Sequence, residues 1–140
     1  PNTGNIGRLC AATATPLNLI KPLGFKLEDK HLKRAGLDYW GYVECFVWEN
    51  WNAFTSSLSA NSQIILTSKK ANNSLYSFTF SGKELLVFGP ETKGLPEWML
   101  NRYPCQMRIP IWSDKVRSLN LANSAAVCLY ESYRQIYFHN

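Results

Sequence analysis

Short apolar runs alternate along the chain with stretches of helical periodicity. The extended runs predict strands of four to six residues at Leu17–Ile20, Val43–Trp48, Gln63–Thr67, Glu84–Phe88 and Gln106–Ile111. Helical spacing predicts the other elements, at Asn5–Thr13, Asp29–Ala35, Trp51–Leu58, Pro96–Tyr103 and Asn120–Phe138. Strands separated by helices predict an α/β domain with a mostly parallel sheet and flanking helices. Ligands of such sheets bind at loops that leave the carboxyl ends of strands, here from Thr67, Gly89 and Ile111 onward.

The last helix carries more apolar surface than one small sheet needs. Its core-facing side is predicted to consist of Leu121, Ala125, Cys128, Leu129, Ser132 and Ile136. Outside that side it carries further aromatic residues, namely Tyr130, Tyr133, Tyr137 and Phe138. We therefore expect a homodimer, in which this surplus packs on a second copy against the Asn5–Thr13 helix.

Composition narrows the class of protein. The chain has 140 residues, which predicts a single domain over residues 1–140. Hydrophobic residues make up 46% and charged residues 18%, which excludes a disordered chain. No apolar run approaches the roughly 18 residues of a membrane span. The net charge of +5 suits an enzyme with an anionic substrate or an RNA-binding module, although many other proteins share it.

Cysteine usage bears on metal binding and on location. The four cysteines form no CxxC pair, and the two histidines, His31 and His139, are far apart, so zinc-ligand spacing is absent and no metal is expected. Scattered cysteines in a chain of this size indicate buried thiols in a reducing cytosol, which predicts a cytoplasmic protein without a membrane partner. The first residues lack both Met and an apolar signal core, which suggests that the chain has been trimmed.

The segment Phe88–Pro96 follows a strand and enters a helix. Gly89 and Gly94 would let backbone approach a ligand closely. The segment is neither a GxGxxG dinucleotide fingerprint nor a P-loop, since Gly94 is followed by leucine. A ligand-binding loop and an ordinary strand–helix turn are equally good interpretations.

Three polar segments have both a structural and a functional interpretation. Arg117–Leu121 offers Ser118 and Asn120 either as helix caps or, with free backbone N–H groups, as a ligand site. Asn2–Arg8 is either a capped helix start with an exposed arginine or a guanidinium aimed at phosphate or ribose. His31–Trp40 sets basic residues beside aromatics, which suits either a polyanion with stacking bases or a solvated helix face followed by core aromatics.

Taken together, these segments resemble a known family. Asn2–Arg8, Phe88–Pro96, and Ile109-Pro110 followed by Arg117–Glu131 resemble the three signature motifs of the SpoU branch of SPOUT-class RNA ribose methyltransferases. Arg34–Trp40 resembles the small tRNA (cytidine/uridine-2′-O)-methyltransferases of the wobble position. The resemblance covers almost the whole chain, and its ordered motifs make it specific.

The resemblance implies an α/β fold with a C-terminal trefoil knot, S-adenosyl-L-methionine as cofactor, and a homodimer that builds the RNA site across two subunits. The implied substrate is the ribose 2′-hydroxyl of the wobble cytidine or uridine of a leucine tRNA. Ribosomal RNA as substrate, and an RNA-binding module that has lost its chemistry, remain alternatives.

The same resemblance implies a set of site residues. The cofactor pocket would be formed, largely through backbone, by Leu66, Gly89, Gly94, Ile109, Ser118 and Leu119. Arg8 would be the catalytic residue at the 2′-hydroxyl, with Asn2, Glu91 and Asn120 holding the site in shape. Lys33 and Arg34 would bind the tRNA.

The chain also departs from the family pattern. The family begins with a strand before its first motif, whereas this chain starts inside that motif, so the first strand is expected to be missing. Ala14 stands where relatives often have a helix-ending glycine, and Ala122 replaces a usual serine. Residues Trp112–Val116 are expected to adopt a loop conformation of their own.

Overall fold

The computed structural model describes residues 2–21, 38–90 and 93–138. The chain divides into two compact units, Pro1–Ala60 and Asn61–Asn140. The predicted helix Asp29–Ala35, with Lys33 and Arg34, lies outside the described residues, and so does Glu91.

The first unit pairs two parallel strands and adds short helices. Its elements are α1 (Asn2–Thr13), β1 (Leu17–Ile20), a 3-10 turn (Asp38–Tyr42), β2 (Cys45–Trp48) and α2 (Trp51–Ser56). Leu17 of β1 stands opposite Cys45 of β2. The strands are also tied by side chains, because the Trp48 indole N–H donates to Asn18 Oδ1 at 2.9 Å. Asn50 caps α2, accepting a hydrogen bond from the Ala53 N–H at 2.8 Å.

Trp40 belongs to the packing of this unit. Its ring lies so close to Gly7 of α1 that a Cβ on Gly7 would overlap ring atoms. Gly7 is buried and Trp40 is half-buried. Of the two interpretations offered for the aromatic residues of His31–Trp40, packing inside the protein is therefore the correct one for Trp40.

Helix α1 ends in a left-handed turn without glycine. Ala14 has φ 53°, and the Thr15 N–H donates to the Cys10 carbonyl at 2.9 Å, the 6→1 bond of a Schellman motif. Glycine adopts this conformation without penalty, whereas an L-residue loses roughly 1–2 kcal/mol there. Alanine in place of the family's usual glycine at position 14 therefore lowers the stability of the helix end.

We predict that Ala14→Gly raises the free energy of unfolding by about 1 kcal/mol, measured by urea denaturation. Ala12→Gly is the control: Ala12 is exposed and helical in the last turn of the same helix, where glycine should lower the free energy of unfolding by up to about 1 kcal/mol. Equal destabilisation by both substitutions would contradict the strain at Ala14.

The second unit is built on three parallel strands. Its elements are β3 (Gln63–Thr67), a 3-10 turn (Leu75–Ser77), β4 (Glu84–Val87), α3 (Glu97–Arg102), β5 (Gln106–Met107) and α4 (Leu121–Tyr137). The strand order is β4–β3–β5, with every pairing parallel, as predicted. The core of this unit consists of Ile65, Leu75, Phe80, Met107 and Cys128.

Polar contacts hold the second half of α4 against the segment that precedes β4. Gln135 accepts from the Phe80 N–H and donates to the Phe78 carbonyl, both at 2.8 Å. Glu131 is buried and accepts hydrogen bonds from Arg134 and Gln135. The hydrogen bonds from Arg134 lower the pKa of the Glu131 carboxyl, because they stabilise its charged form.

Several predicted boundaries were wrong. The strand predicted over Gln106–Ile111 stops at Met107, and Arg108 continues only as an isolated bridge to Ser74. Pro110, which has no N–H, cannot continue a ladder. Helix α3 begins at Glu97, because Pro96 has the extended backbone of an N-cap (ψ 151°). Strand β2 begins at Cys45, since the Val43 N–H is used by the preceding turn.

The cysteines are all free thiols, but they are not all buried. Burial raises the pKa of Cys128 to about 12, and burial together with neighbouring Cys45 raises that of Cys10 to about 11. Cys105 is exposed, so the expectation of a buried thiol was wrong at this position.

Candidate functional site

A cavity of about 450 Å³ lies in the second unit, where the chain leaves the carboxyl ends of β3, β4 and β5. Its walls come from the segments after these strands and from the starts of α3 and α4: Thr67, Ser68, Lys69, Lys70, Phe88, Gly89, Pro90, Lys93, Gly94, Leu95, Pro96, Glu97, Leu100, Ile109, Ile111, Arg117, Ser118, Leu119, Leu121 and Ser124. This is the volume and position of a ligand pocket in a parallel α/β unit.

The wall after β3 is formed by Thr67 and Ser68. Thr67 Oγ1 donates to the Val87 carbonyl at 2.9 Å, which links the ends of β3 and β4. Ser68 Oγ accepts from the Lys70 N–H at 3.1 Å and so shapes the turn. Leu66 is fully buried and does not itself line the cavity; the next residues along the chain do.

The loop after β4 folds tightly on itself. A Cβ on Gly89 would stand 2.6 Å from the Gly94 carbonyl carbon and from the Leu95 nitrogen. Gly94 has φ 67°, and its N–H donates to the Pro90 carbonyl at 2.8 Å. Both glycines are required by the loop's own geometry, and both line the cavity. The interpretation as a tight turn is correct, and the same turn forms one wall of the cavity, while ligand binding by this segment stays a prediction.

The third wall is formed by the segment between β5 and α4. Ile109, Ser118 and Leu119, which the resemblance assigns to the cofactor pocket, line this cavity, and their contact with the cofactor stays a prediction. Asn120 is not among the lining residues: its side chain caps α4, accepting from the Asn123 N–H at 3.1 Å. The capping interpretation is correct for Asn120, whereas Ser118 lies on the cavity wall.

The rim of the cavity is cationic. Lys69, Lys70, Lys93 and Arg117 are among its lining residues, and the acidic residue in that set is Glu97. Glu97 forms an exposed ion pair with Lys70 at 3.4 Å, which leaves an excess of positive charge. Such a rim attracts anionic ligands. Sequence reasoning pointed to the segment after Thr67 but did not single out Lys69 and Lys93, because isolated lysines carry no motif.

Two further residues that the resemblance names belong to the first unit. Arg8 is exposed on α1 of the first unit, and Asn2 is the first residue of the same helix. Their roles, with those of Glu91, Lys33 and Arg34, stay predictions.

Within residues 2–21, 38–90 and 93–138, no group of three or more His, Cys, Asp or Glu could hold a metal ion. Among the helices of these segments, none has the length and apolar character needed to cross a bilayer.

Parallel strands with a ligand-sized pocket at their carboxyl ends are typical of α/β enzymes and binding proteins, and the cationic rim suits an anionic group at the pocket's edge. Comparison with known proteins makes this specific. The chain belongs to the SpoU rRNA Methylase family, whose sequence model matches residues 1–130. The resemblance found in the motifs is confirmed.

Relatives and solved structures agree with this membership. A protein of Methylovorus glucosotrophus named tRNA (cytidine(34)-2′-O)-methyltransferase is 51% identical over 138 residues, covering 96% of this chain and 88% of that protein. A structure described as "Structural insights into the 2-OH methylation of C/U34 on tRNA" has a TM-score of 0.89 at 44% identity, covering 96% of this chain and 87% of that one. The AdoMet complex of the SpoU methyltransferase AviRb from Streptomyces viridochromogenes shares the fold at 23% identity, with a TM-score of 0.83 over 96% of this chain and 52% of that one.

Proposed function

We propose that this chain is an S-adenosyl-L-methionine-dependent methyltransferase that methylates the ribose 2′-hydroxyl of nucleotide 34 of a tRNA. The observation that carries the proposal is the pocket at the carboxyl ends of β3, β4 and β5, with walls formed by two of the three family motifs. Relatives 40–51% identical over most of the chain are named for this reaction. A leucine tRNA as substrate stays a prediction.

The pocket suits the cofactor in size and chemistry. Its volume of about 450 Å³ is within the range for ligands of this size. Ile109 and Leu119 offer apolar surface for a base, while the Gly89–Gly94 turn and Ser118 offer polar backbone and a hydroxyl. When bound, the cofactor supplies an electrophilic methyl group, so the protein's own task is alignment and charge stabilisation.

Arg8 is proposed to donate hydrogen bonds to the ribose 2′-oxygen as negative charge develops there. A guanidinium stays protonated in proteins, so it is a poor general base but a good fork of donors for an oxyanion or a neighbouring phosphate. Asn2, Glu91 and Asn120 are proposed to hold this arrangement in shape, Asn120 through the cap that fixes the start of α4. Lys33 and Arg34, with the cationic rim, are proposed to bind phosphates of the tRNA.

We further propose a trefoil-knotted fold, as in the family, and a cytoplasmic location, where free thiols such as these persist.

We predict a homodimer, because α4 and the residue after it expose aromatic side chains that water does not favour: Tyr130 is 57%, Tyr137 66% and Phe138 71% exposed. Light scattering at micromolar concentration should give twice the chain mass. The double variant Tyr130→Glu, Tyr137→Glu should give the monomer mass, whereas Tyr76→Glu, with the parent tyrosine similarly exposed at 56%, should not. A monomeric wild type would contradict the prediction.

The proposed function is tested by transfer of a labelled methyl group from S-adenosyl-L-methionine to bulk tRNA, with ribosomal RNA in a parallel reaction. We expect label in tRNA only. Label in ribosomal RNA alone would favour the other substrate class named for the family. Label in neither would favour an inactive RNA-binding module.

A further inference from the structure

Trp112 is the most exposed large hydrophobic side chain of the described residues, at 89%. It directly follows Ile111, which lines the cavity, and begins a loop that returns to the cavity at Arg117. The loop that carries Trp112 therefore joins two residues of the cavity wall, and an extended ligand that leaves the cavity along this loop would pass the indole. A tryptophan exposed to water in a loop that borders a pocket is typical of a contact surface, because its large ring gains most when covered.

The surroundings of Trp112 favour a polyanion. Lys115 and Arg117 lie in the same loop, and Lys69 and Lys93 lie elsewhere on the cavity rim. The acidic residue of the loop is Asp114. The turn at Ser113, whose Oγ accepts from the Lys115 N–H at 3.1 Å, gives the start of this loop a defined shape.

The same charges argue against a second copy as the occupant. If this loop lay on the axis of a two-fold contact, Lys115 and Arg117 would approach their own equivalents and repel them. An exposed aromatic ring among cations is instead the arrangement that binds single-stranded nucleic acid, where bases stack on rings and phosphates meet the cations.

We propose that Trp112 stacks on an unpaired RNA base that flanks the nucleotide bound at the cavity, and so contributes to substrate selection. The inference rests on the proposed function. Trp112 is the first residue of the segment Trp112–Val116, which the sequence analysis expects to adopt a loop conformation of its own.

The test is fluorescence anisotropy with a synthetic anticodon stem-loop RNA as probe. Trp112→Ala should weaken binding about ten-fold or more, the scale found for losing one base–aromatic stack. Trp112→Phe should retain most of the affinity because it keeps an aromatic face, whereas Trp112→Leu should not. Tyr76→Ala removes an exposed aromatic ring from the 75–77 turn, outside the loop between Ile111 and Arg117, and should bind as wild type.

Salt dependence separates stacking from charge. Trp112→Ala should leave the slope of log affinity against log salt unchanged, whereas Lys115→Ala should reduce it by about one. Wild-type affinity in Trp112→Ala, or equal rescue by leucine and phenylalanine, would overturn the inference. So would a loss of oligomer mass in Trp112→Ala, which would assign the indole to a contact between copies.

These outcomes are distinct from failure of the proposed function. If wild-type protein methylates tRNA but Trp112→Ala binds the stem-loop normally, only the stacking role fails. If wild-type protein transfers no methyl group to tRNA, the proposed function fails whatever the Trp112 variants do.

Discussion

Gly89→Val should abolish binding of S-adenosylhomocysteine to the purified protein, measured by isothermal calorimetry. The sequence suggests that a side chain would occupy ligand space, but the geometry gives a stronger reason. A Cβ at Gly89 would stand 2.6–2.9 Å from backbone atoms of Gly94 and Leu95, and backbone cannot rotate aside as a side chain can. The turn must therefore open, and one wall of the cavity moves with it.

Gly94 provides a graded comparison in the same loop. Its Cβ would meet nothing within 4 Å, so Gly94→Ala adds only the strain of an L-residue at φ 67°. We expect at most about a thirty-fold loss of affinity there, since that strain is roughly 1–2 kcal/mol and 1.4 kcal/mol is about ten-fold. Gly41→Ala, in open space in the first unit, should bind as wild type. Wild-type affinity in a folded Gly89→Val protein would contradict the role of the turn.

Arg8→Ala should lower the rate of methyl transfer at saturating tRNA by at least about 100-fold. This is the usual effect of removing a pre-organised donor that stabilises developing charge. S-adenosylhomocysteine affinity should barely change, because the pocket walls come from the second unit. The affinity for tRNA should fall only modestly, since one phosphate contact among several contributes little. Arg8→Lys should not restore the rate, because an ammonium cannot reproduce the guanidinium fork.

The matched comparison is the Lys33→Ala, Arg34→Ala double variant. Loss of two phosphate contacts should weaken tRNA binding and flatten its salt dependence, which is the signature of binding rather than of chemistry. A near wild-type rate of methyl transfer by Arg8→Ala at saturating tRNA would contradict the catalytic role, and Arg8 would then be an ordinary surface residue of α1.

The alternation of apolar runs was a reliable guide to the sheet-forming segments. Leu17–Ile20 and Gln63–Thr67 have their predicted bounds, because each is a compact apolar run closed by polar residues. The run Gln106–Ile111 did not become one strand, because Arg108 bonds to Asn73 and Leu75 instead of extending the ladder. The hydrogen bonds of Arg108 depend on the position of the 75–77 turn in the fold. The periodicity of residues 106–111 carries no information about that position.

The sequence named several residues of the candidate site correctly but did not predict what each residue does in the structure. Gly89 was singled out for close approach to a ligand, yet the atoms nearest to its missing side chain belong to Gly94 and Leu95 of the same loop. The sequence left Asn120 as either a helix cap or a ligand-binding residue. In the structure its Oδ1 accepts a hydrogen bond from the Asn123 N–H, so it is the cap. The cationic rim was not predicted, because Lys69, Lys93 and Arg117 follow three different strands and line one cavity only in the folded unit.

Mapping the modified nucleotide is the most direct test of methylation of the ribose 2′-oxygen at position 34 of tRNA. Bulk tRNA labelled by the wild-type protein would be digested with nuclease, and the labelled nucleosides identified and located by mass spectrometry. We expect 2′-O-methylated cytidine or uridine at position 34, the position that the relatives' names specify. Label on a base, or on a ribose elsewhere in the tRNA, would contradict it.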